Sequence, residues 1–416
     1  MLSHCLLLIK KFVPILIGLL LFPTLIYAGG LQINYQGQRQ TGMANAGVGL
    51  ALDASNVFFN PGALSLNYQG GIMLGSSVLA PRTVFLEAPP SDYLDSTERF
   101  VFTPIYLYAA FNGKEGTALE KFSFGVSLNN PFGGTVKWPD DWLGKNISRE
   151  FSVNTFFLQP TISYQISENI GIGAGFSYGI VNLLSRKAFN TDIGEGAVQF
   201  TGSGIAQGFN IGLFAQATTE VSLGISYRSA MDIEIEEGLT QFTVAESLEE
   251  AFPDQNFRTE FTLPRVLSLG LGYKPDERTQ FAIDLVFTGW QVFDSLDLEL
   301  ADPELVNSFP TRNYTNSVSL RLGGEYALSE AFLLRGGIYY DGSPVPSSYV
   351  TPEFPDADRI GFSAGLGYRV LQKFNVDLSY TYDFTGERTS SFIEAGFAGK
   401  YLSTTSSLGI GIGYLF

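Results

Sequence analysis

Histidine and cysteine, the residue types that most often act as nucleophiles, bases and metal ligands, each occur once in this chain of 416 residues. Both stand at the amino terminus, as His4 and Cys5, ahead of two lysines and an apolar run over residues 12–25. A basic start, an apolar core of this length and the small residue Ala28 predict a secretory signal peptide over residues 1–28. Cleavage there leaves a mature chain with neither imidazole nor thiolate.

This loss restricts the chemistry that the mature protein can perform. Cysteine and histidine enzymes, zinc sites and disulfide scaffolds are excluded, and a hydrolase that uses carboxylates alone is the remaining enzymatic alternative. We therefore expect no enzyme activity, no catalytic residues, no metal site and no cofactor. The chain carries 41 acidic against 25 basic residues and a net charge of −16, so it has no electrostatic reason to bind nucleic acid.

The elements that must position any functional residue are indicated by an alternation with period two. No second stretch of about 18 apolar residues follows the signal peptide, so a membrane-spanning helix is not expected. Instead, large apolar residues alternate with small ones in the run over residues 170–181, and again over residues 408–416. In the first run the large face carries Ile170, Ile172, Ala174, Phe176, Tyr178 and Ile180. A soluble sandwich would place lysine, glutamate and arginine on its polar face, whereas here that face is mostly glycine and serine, as in a strand between lipid and a polar lumen.

The connections between such runs support a barrel. About 14 strands can be counted, and tight turns such as residues 274–278 alternate with long links such as residues 341–358. An even number of strands with short turns at one end and long loops at the other is typical of bacterial outer-membrane barrels. Because every backbone polar group in lipid must be paired, the barrel must close. The sequence therefore predicts an all-β fold, a transmembrane antiparallel β-barrel over residues 68–416, in the outer membrane of a Gram-negative cell.

The first mature segment, residues 29–67, does not fit this pattern. It is rich in glycine and alanine and lacks a sustained alternation. One interpretation is a disordered periplasmic tail. The other is a plug, or hatch, inside the barrel, because a lumen enclosed by about 14 strands would otherwise be an open aqueous pore.

The same segment carries a resemblance to a known family. GGLQINYQGQRQTGMANAGVGLALDASNVFFNPGALSLN, residues 29–67, resembles the N-terminal hatch of the FadL-type outer-membrane transporters for long-chain fatty acids and other hydrophobic compounds. Residues 129–146, 261–275, 289–296 and 340–369 also resemble family segments, in family order. The resemblance implies a monomeric barrel of 14 strands plugged by the hatch. It also implies that the assembly machinery for such barrels recognises the terminal residue, Phe416.

A transport route is implied by the resemblance as well. The ligand is caught by extracellular loops, passes to an internal pocket, and leaves sideways into outer-membrane lipid after the hatch rearranges. The exit lies at an inward kink of the third strand, which falls here at Pro131, Phe132, Gly133 and Gly134. Proline lacks the N–H that a strand ladder needs, and glycine weakens strand pairing. The alternative interpretation is an ordinary loop, in which proline and glycine simply end the strand.

Two further sets of site residues follow from the resemblance. Asn60, Pro61 and Gly62 resemble the Asn-Pro-Ala motif of the family hatch, although glycine intervenes here before the alanine, and a simple turn is the alternative. By position, Arg186, Lys187 and Arg312 match places where the family offers basic residues to the ligand head. A buried carboxylate needs such a cation, but a salt bridge to an acidic residue in the lumen is equally compatible with them. The other candidate cations are Arg228, Arg265 and Arg359.

Three functions remain open at this point. A long-chain fatty acid carrier is favoured by the three basic residues, an aromatic-hydrocarbon channel of the same family is hard to separate from it, and a general diffusion porin for small polar solutes would not need a hatch. The tryptophans Trp138, Trp142 and Trp290 fit membrane-interface positions better than ligand sites.

Overall fold

A computed structural model describes residues 30–66, 70–293, 295–300, 311–370, 373–392 and 395–416. The predicted signal peptide, residues 1–28, lies outside these ranges, and so do residues 29 and 67 at the borders predicted for the hatch. Within the described ranges, no helix is long and apolar enough to cross a membrane.

Strands dominate the described residues, as the alternation predicts. The strands are β1 (Gly71–Glu87), β2 (Leu94–Ser96), β3 (Ile105–Asn112), β4 (Phe122–Asn129), β5 (Gly133–Lys137), β6 (Glu150–Ser167), β7 (Ile170–Thr191), β8 (Gly194–Gln216), β9 (Val221–Arg228), β10 (Met231–Thr243), β11 (Gln255–Leu263), β12 (Val266–Tyr273), β13 (Thr279–Thr288), β14 (Leu298–Leu300), β15 (Ser317–Ala327), β16 (Phe332–Asp341), β17 (Arg359–Val370), β18 (Phe374–Thr385), β19 (Arg388–Phe392) and β20 (Phe397–Leu415). The helices are α1 (Gln38–Thr41) and α2 (Asn56–Phe59), with 3₁₀ turns at Pro61–Leu66, Glu246–Leu248, Trp290–Val292 and Ser347–Tyr349.

The strands close into one antiparallel barrel. β1 and β20 pair without interruption from Gly71↔Leu415 to Glu87↔Gly399, which joins the two ends of the sheet. Three of the wall strands are interrupted along their length. One consists of β4 and β5, the second of β9 and β10, and the third of β11 and β12. The short strands β2, β14 and β19 are additions next to β1, β11 and β20. The wall therefore has 14 strands, which confirms the predicted fold class.

The two faces of the wall follow the alternation in the sequence. Along β7, Ile170, Ile172 and Phe176 are exposed at 38%, 41% and 51% of their surface, and the glycines between them are buried. Exposed apolar side chains of this kind are stable against lipid rather than water. The small inner face lets other parts of the chain approach the backbone of the wall closely.

The long links of the barrel fold over one end of the lumen and carry the largest apolar core cluster. This cluster contains Trp138, Trp142 and Trp290, whose side chains are exposed at 1% or less. The prediction that they occupy the membrane interface is therefore wrong. Trp138 and Trp142 stack with ring centroids 4.2 Å apart, and Trp138 Nε1 donates to the carbonyl of Pro352 at 3.0 Å. Amphipathic rings satisfy such a loop core as well as they satisfy a membrane interface.

Candidate functional site

The N-terminal segment, residues 30–66, fills the lumen and contacts the wall on several sides. Its backbone and side chains are almost entirely buried. Hydrogen bonds to β1, β8, β13 and β17 are made by Gln38 Nε2 to Ser77 Oγ (2.9 Å), Asn60 Nδ2 to the Leu213 carbonyl (3.1 Å), Gly47 N to Asp284 Oδ2 (2.7 Å) and Ala44 N to Ser363 Oγ (2.8 Å). Polar contacts of this kind are distributed around the wall rather than confined to one side of it.

Asn60, Pro61 and Gly62 form a turn that attaches this segment to the wall. Asn60 Nδ2 donates to the carbonyl of Val48 at 2.9 Å as well as to Leu213, and Asn60 Oδ1 accepts the N–H of Gly62 at 3.0 Å. One asparagine side chain thus joins three backbone groups. Such a local bond from Asn to the N–H two residues on is a common way to close a turn.

Gly62 meets the glycine-rich inner face of β7 and β8. A Cβ at Gly62 would lie 2.8 Å from the carbonyl oxygens of Gly171 and Gly212. No side chain fits in this space without moving the backbone of the wall. This contact gives a physical reason for the glycine that interrupts the family motif at this position.

A network of charged side chains makes a second attachment. Arg39 on α1 donates to Glu325 on β15 through Nε at 2.9 Å and Nη2 at 2.7 Å, and lies 3.5 Å from Asp53. Arg335 on β16 donates to the same Glu325 at 2.6 Å and to Asp377 on β18 at 2.5 Å. Sequence analysis missed this network. The signal available was the position of each charged residue in the inward phase of its strand, where Glu325, Arg335 and Asp377 are all buried.

The predicted kink is an interruption between β4 and β5. Both strands pair with β6, at Asn129↔Phe157 and Gly133↔Asn154, so the three residues 130–132 stand opposite two residues of β6. The chain turns inward there and bonds to the N-terminal segment. Ile33 N donates to the carbonyl of Pro131 at 3.0 Å, and Gly133 N donates to that of Leu31 at 2.8 Å.

Phe132 and the two glycines have different roles at this turn. Phe132 forms an isolated antiparallel β-bridge with Gln32, and its exposed fraction is only 1%. Gly133 has φ +148°, and a Cβ there would lie 2.8 Å from the carbonyl oxygen of Val153, whereas the first contact of a Cβ at Gly134 would be 3.6 Å away, at Leu31. Gly133 is therefore required by the geometry, and Gly134 is not.

The ladder of backbone hydrogen bonds is interrupted beside the kink, where the N–H of Ile105 donates to Asn130 Oδ1 at 2.9 Å. The ladder between β3 and β4 ends at Tyr106↔Asn129, and among the described strands β6 alone pairs with β5. The next link toward the loops joins Glu98 N to the carbonyl of Lys137 at 2.8 Å, with a salt bridge of 2.6 Å between the two side chains. An interval without ladder hydrogen bonds lies between these two links.

A cavity of about 200 Å³ borders Gly133 and Gly134. Its apolar lining includes Phe151 and Phe354. Its charged lining consists of Glu353, Asp356, Arg359 and Asp383. Burial raises the pKa of the Asp356 carboxyl, which lies in the loop between β16 and β17. The cavity is thus amphipathic, with room for an apolar group and charged groups at its border.

Two of the three predicted ligand-binding cations interact with the same carboxylate, one directly and one over a longer range. Arg312 is fully buried, donates to Glu353 at 2.5 Å and lies with its guanidinium 4.7 Å from the centre of the Phe354 ring. Lys187 lies within electrostatic reach of the same Glu353. Arg312 therefore pairs with a carboxylate that lines the cavity, and Lys187 lies within the electrostatic range of that carboxylate without a salt bridge to it among the described residues.

Arg186 is placed differently, because successive residues of a strand face opposite sides of the wall. It lies directly across from Glu150 on β6, and Arg186 Nη2 is 3.5 Å from that carboxylate and 3.2 Å from Asp140. Lys187 follows the phase of the buried residues of β7, and Arg186 does not. The adjacent pair is therefore split between the inner and outer faces of the wall.

The three other candidate arginines lie in three different places. Arg359 borders the 200 Å³ cavity and is loosely paired, at 3.8 Å from Asp341 and 3.9 Å from Asp383. Arg228 borders a second cavity, lined by the N-terminal segment and by wall strands. Arg265 stands outside both cavity linings, at the break between β11 and β12.

A closed 14-strand barrel, filled by its own N-terminal segment and interrupted in its wall, has the architecture of an outer-membrane transport protein. The chain belongs to the family described as outer membrane protein transport protein (OMPP1/FadL/TodX), whose model matches residues 19–414. The predicted family and outer-membrane location are thereby confirmed, and the protein is a transport protein rather than an enzyme.

Relatives and solved structures agree with this assignment. The chain is 22% identical to the putative outer membrane protein NMB0088 of Neisseria meningitidis, covering 90% of each chain, and 20% identical to the long-chain fatty acid transport protein of Escherichia coli K12, covering 88% of this chain and 90% of the relative. A Pseudomonas aeruginosa FadL homologue has the same fold, with a TM-score of 0.81, 17% identity and coverage of 93% and 99%. The Pseudomonas putida toluene transporter TodX also matches, with a TM-score of 0.68, 14% identity and coverage of 94% and 98%.

Proposed function

We propose that this protein takes up hydrophobic ligands passively across the outer membrane, and that long-chain fatty acids are its substrate class. The observation that carries the proposal is the interrupted wall at residues 130–134, where an amphipathic cavity meets the N-terminal segment. A water-filled pore offers an apolar molecule no favourable contact. A route from an internal apolar cavity to the side of the barrel avoids that barrier.

The ligand head is assigned to the charged end of the cavity. Lys187 and Arg312 are proposed to bind the fatty acid carboxylate by displacing or sharing Glu353, with a charge-assisted hydrogen bond from each cation. Arg186, on the other face of β7, is proposed to act earlier, among the loops that catch the ligand. The long-chain fatty acid transport proteins among the relatives support this substrate class.

The N-terminal segment is proposed to be the hatch, over residues 29–67. Asn60, Pro61 and Gly62 would then be the turn that holds it against β7 and β8 and that moves when the ligand passes. Pro131, Phe132, Gly133 and Gly134 would form the edge of a lateral exit into outer-membrane lipid. The hydrogen bonds between residues 31–33 and the kink support a coupling between hatch and exit.

Aromatic hydrocarbons are the second candidate substrate. The cavity volume of about 200 Å³ suits a single aromatic ring without further movement, and a toluene transporter is among the matching structures. The charged border of the cavity has no use in binding a hydrocarbon and favours an acid. A general diffusion porin is disfavoured because the described N-terminal residues occupy the lumen.

Uptake by whole cells tests the proposal. Cells that lack their own transporter and express the full chain are given labelled oleate, labelled toluene and a labelled sugar, and a matched strain carries the chain with residues 29–67 altered. We expect saturable oleate uptake by the unaltered chain and sugar leakage only when the segment is altered. The absence of transport of both hydrophobic probes, or sugar passage through the unaltered protein, would refute the proposal.

A further inference from the structure

Two buried arginines line a second cavity between the N-terminal segment and the wall. Arg228 at the end of β9 and Arg321 on β15 are exposed at 8% and 7%, and both border this cavity of about 50 Å³. Within the described part of the chain, neither arginine forms a salt bridge. Apolar residues make up much of the remaining lining, including Ile33, Phe132 and Val286.

The contacts of Arg228 are with uncharged groups. Its Nη1 donates to Gln159 Oε1 at 3.2 Å, and its guanidinium lies 4.3 Å from the centre of the Phe58 ring on α2. Phe58 belongs to the N-terminal segment and precedes the turn at Asn60 by two residues. Arg228 therefore connects the wall to the part of the segment that is attached to β7 and β8.

Arg321 has a similar environment. Nη2 donates to Asn34 Oδ1 at 2.8 Å and Nη1 to the carbonyl of Asn45 at 3.4 Å, and its buried Nε has no partner within the described residues. Asp284 is its cross-strand partner on β13, but Asp284 Oδ2 accepts the N–H groups of the segment at residues 47 and 48. Oδ1 of the same carboxylate has no hydrogen-bond partner within the described residues, and no salt bridge joins Asp284 to Arg321.

A buried cation that forms no salt bridge is costly, and the cost is reduced when an anion arrives with good hydrogen-bond geometry. This holds most strongly for Arg228, whose contacts are all uncharged, whereas Arg321 has Asp284 across the ladder. We infer that Arg228 and Arg321 form an anion site that binds the carboxylate of a fatty acid on its way past the N-terminal segment. The inference rests on the proposed function, and it adds a second head-group station distinct from the pair Lys187 and Arg312.

The size of the cavity restricts what it takes. A volume of about 50 Å³ holds a few water-sized groups, so it accommodates a carboxylate and not an alkyl tail. The tail must lie along the apolar lining toward Phe132 at the kink. When Arg228 turns from the Phe58 ring to a carboxylate, the ring loses its cation contact beside the turn at residues 60–62. Binding of the head group therefore loosens the segment at the place where it is attached to the wall.

Equilibrium binding to the purified full chain in neutral detergent tests this site. The probes are oleate and oleyl alcohol, which have the same tail and differ in the charge of the head. Arg228→Gln and Arg321→Gln are each expected to weaken oleate binding about tenfold or more and to leave oleyl alcohol binding unchanged. Arg278→Gln, at an exposed turn arginine, is the matched control and should change neither.

Two further measurements keep the outcome decisive. Arg228→Lys retains the charge and should keep part of the preference for oleate, and thermal unfolding of each variant verifies that the barrel is intact. Wild-type oleate binding that both glutamine variants retain would overturn the anion site while leaving the proposed uptake function in place. If the glutamine variants lost oleate binding and oleyl alcohol binding equally, the anion site would be overturned too, because the arginines would then only shape the cavity. A wild-type chain that binds neither probe would count against the site and the uptake function together.

Discussion

The charged network between the N-terminal segment and the wall predicts how firmly the lumen is closed. In this network, Arg39 makes the ion pair between the segment and the wall. Glu325, Arg335 and Asp377 all lie on wall strands. Arg39→Gln therefore removes the connection and leaves the pairs within the wall intact. The two N–H groups of Arg39 that donate to Glu325, at 2.7 Å and 2.9 Å, are the bonds lost.

The size of the effect follows from burial. Arg39 is 15% exposed and Glu325 is 6% exposed, so solvent screens their interaction weakly. Removing one partner of a buried pair costs about 3–5 kcal/mol when the remaining charge is left alone. Glu325 keeps Arg335 at 2.6 Å, which reduces the loss to roughly 2–3 kcal/mol, the upper part of the range for a hydrogen bond to a charged group. At 1.4 kcal/mol per factor of ten, the population with a detached segment rises about 30- to 150-fold.

Conductance across a planar bilayer measures this population directly. Arg39→Gln should increase the frequency of open events by about the same factor, while thermal unfolding of the barrel changes little. Arg258→Gln is the matched control, because Arg258 and its partner Glu234 are 52% and 45% exposed and lie on the wall. An exposed pair contributes under about 1 kcal/mol. Conductance of Arg39→Gln equal to that of wild type, with a folded barrel, would refute the idea that this network retains the segment.

Five other substitutions test the kink, the attachment turn and the proposed head-group site. Gly133→Ala should destabilise the inward turn by about 1–3 kcal/mol because alanine is strained at its φ, and should lower oleate uptake, whereas Gly134→Ala should leave uptake unchanged. Gly62→Ala should weaken attachment of the N-terminal segment by about 1–3 kcal/mol through overpacking and increase sugar leakage in liposome swelling. Lys187→Gln should lower oleate affinity about tenfold, whereas Arg186→Gln should slow capture without changing the affinity of the internal site.

The comparisons at the kink and at the head-group site each contain their own control, and Gly62→Ala is compared with the wild type. Equal behaviour of the two glycine variants would show that the positive φ at the kink has no functional role. Leakage equal to wild type in Gly62→Ala would mean that the wall adjusts to a methyl group at this turn. Equal affinity losses at positions 186 and 187 would contradict the division of this pair between the two faces of β7.

The barrel is predictable from the sequence because its determinants are local. The alternation over residues 170–181 determines which side of β7 faces lipid, and the same phase, continued to residue 187, is enough to place Lys187 and Arg186 on opposite faces. Strand count and antiparallel order follow from turns that are local in sequence. The breaks at residues 130–132 and 264–265 both contain proline, which removes a ladder donor.

The internal contacts depend on distant parts of the chain and cannot be predicted in the same way. Arg39 and Glu325 are 286 residues apart, and Arg312 and Glu353 are 41 apart. Nothing in the pattern around Arg312 distinguishes a ligand-binding cation from one paired in the lumen. The prediction for the tryptophans is wrong for a related reason, since an amphipathic ring suits either a membrane interface or a loop core, and only the folding of loops over the lumen decides between them.

The two halves of the interior differ in a way that bears on transport. The loop end is held by a contiguous apolar cluster that includes Trp138, Trp142 and Trp290, and separating it would expose a large apolar area to water. The N-terminal segment meets the wall through smaller apolar clusters, around Val57, Ile33 and Leu50, and through hydrogen bonds, ion pairs and glycine backbone. These polar groups can exchange their partners for water at small net cost, about 0.5–1.5 kcal/mol for a neutral hydrogen bond. We therefore expect rearrangement to be easier at the segment than at the loop end, because the apolar clusters of the segment are smaller and part of its contact with the wall is polar.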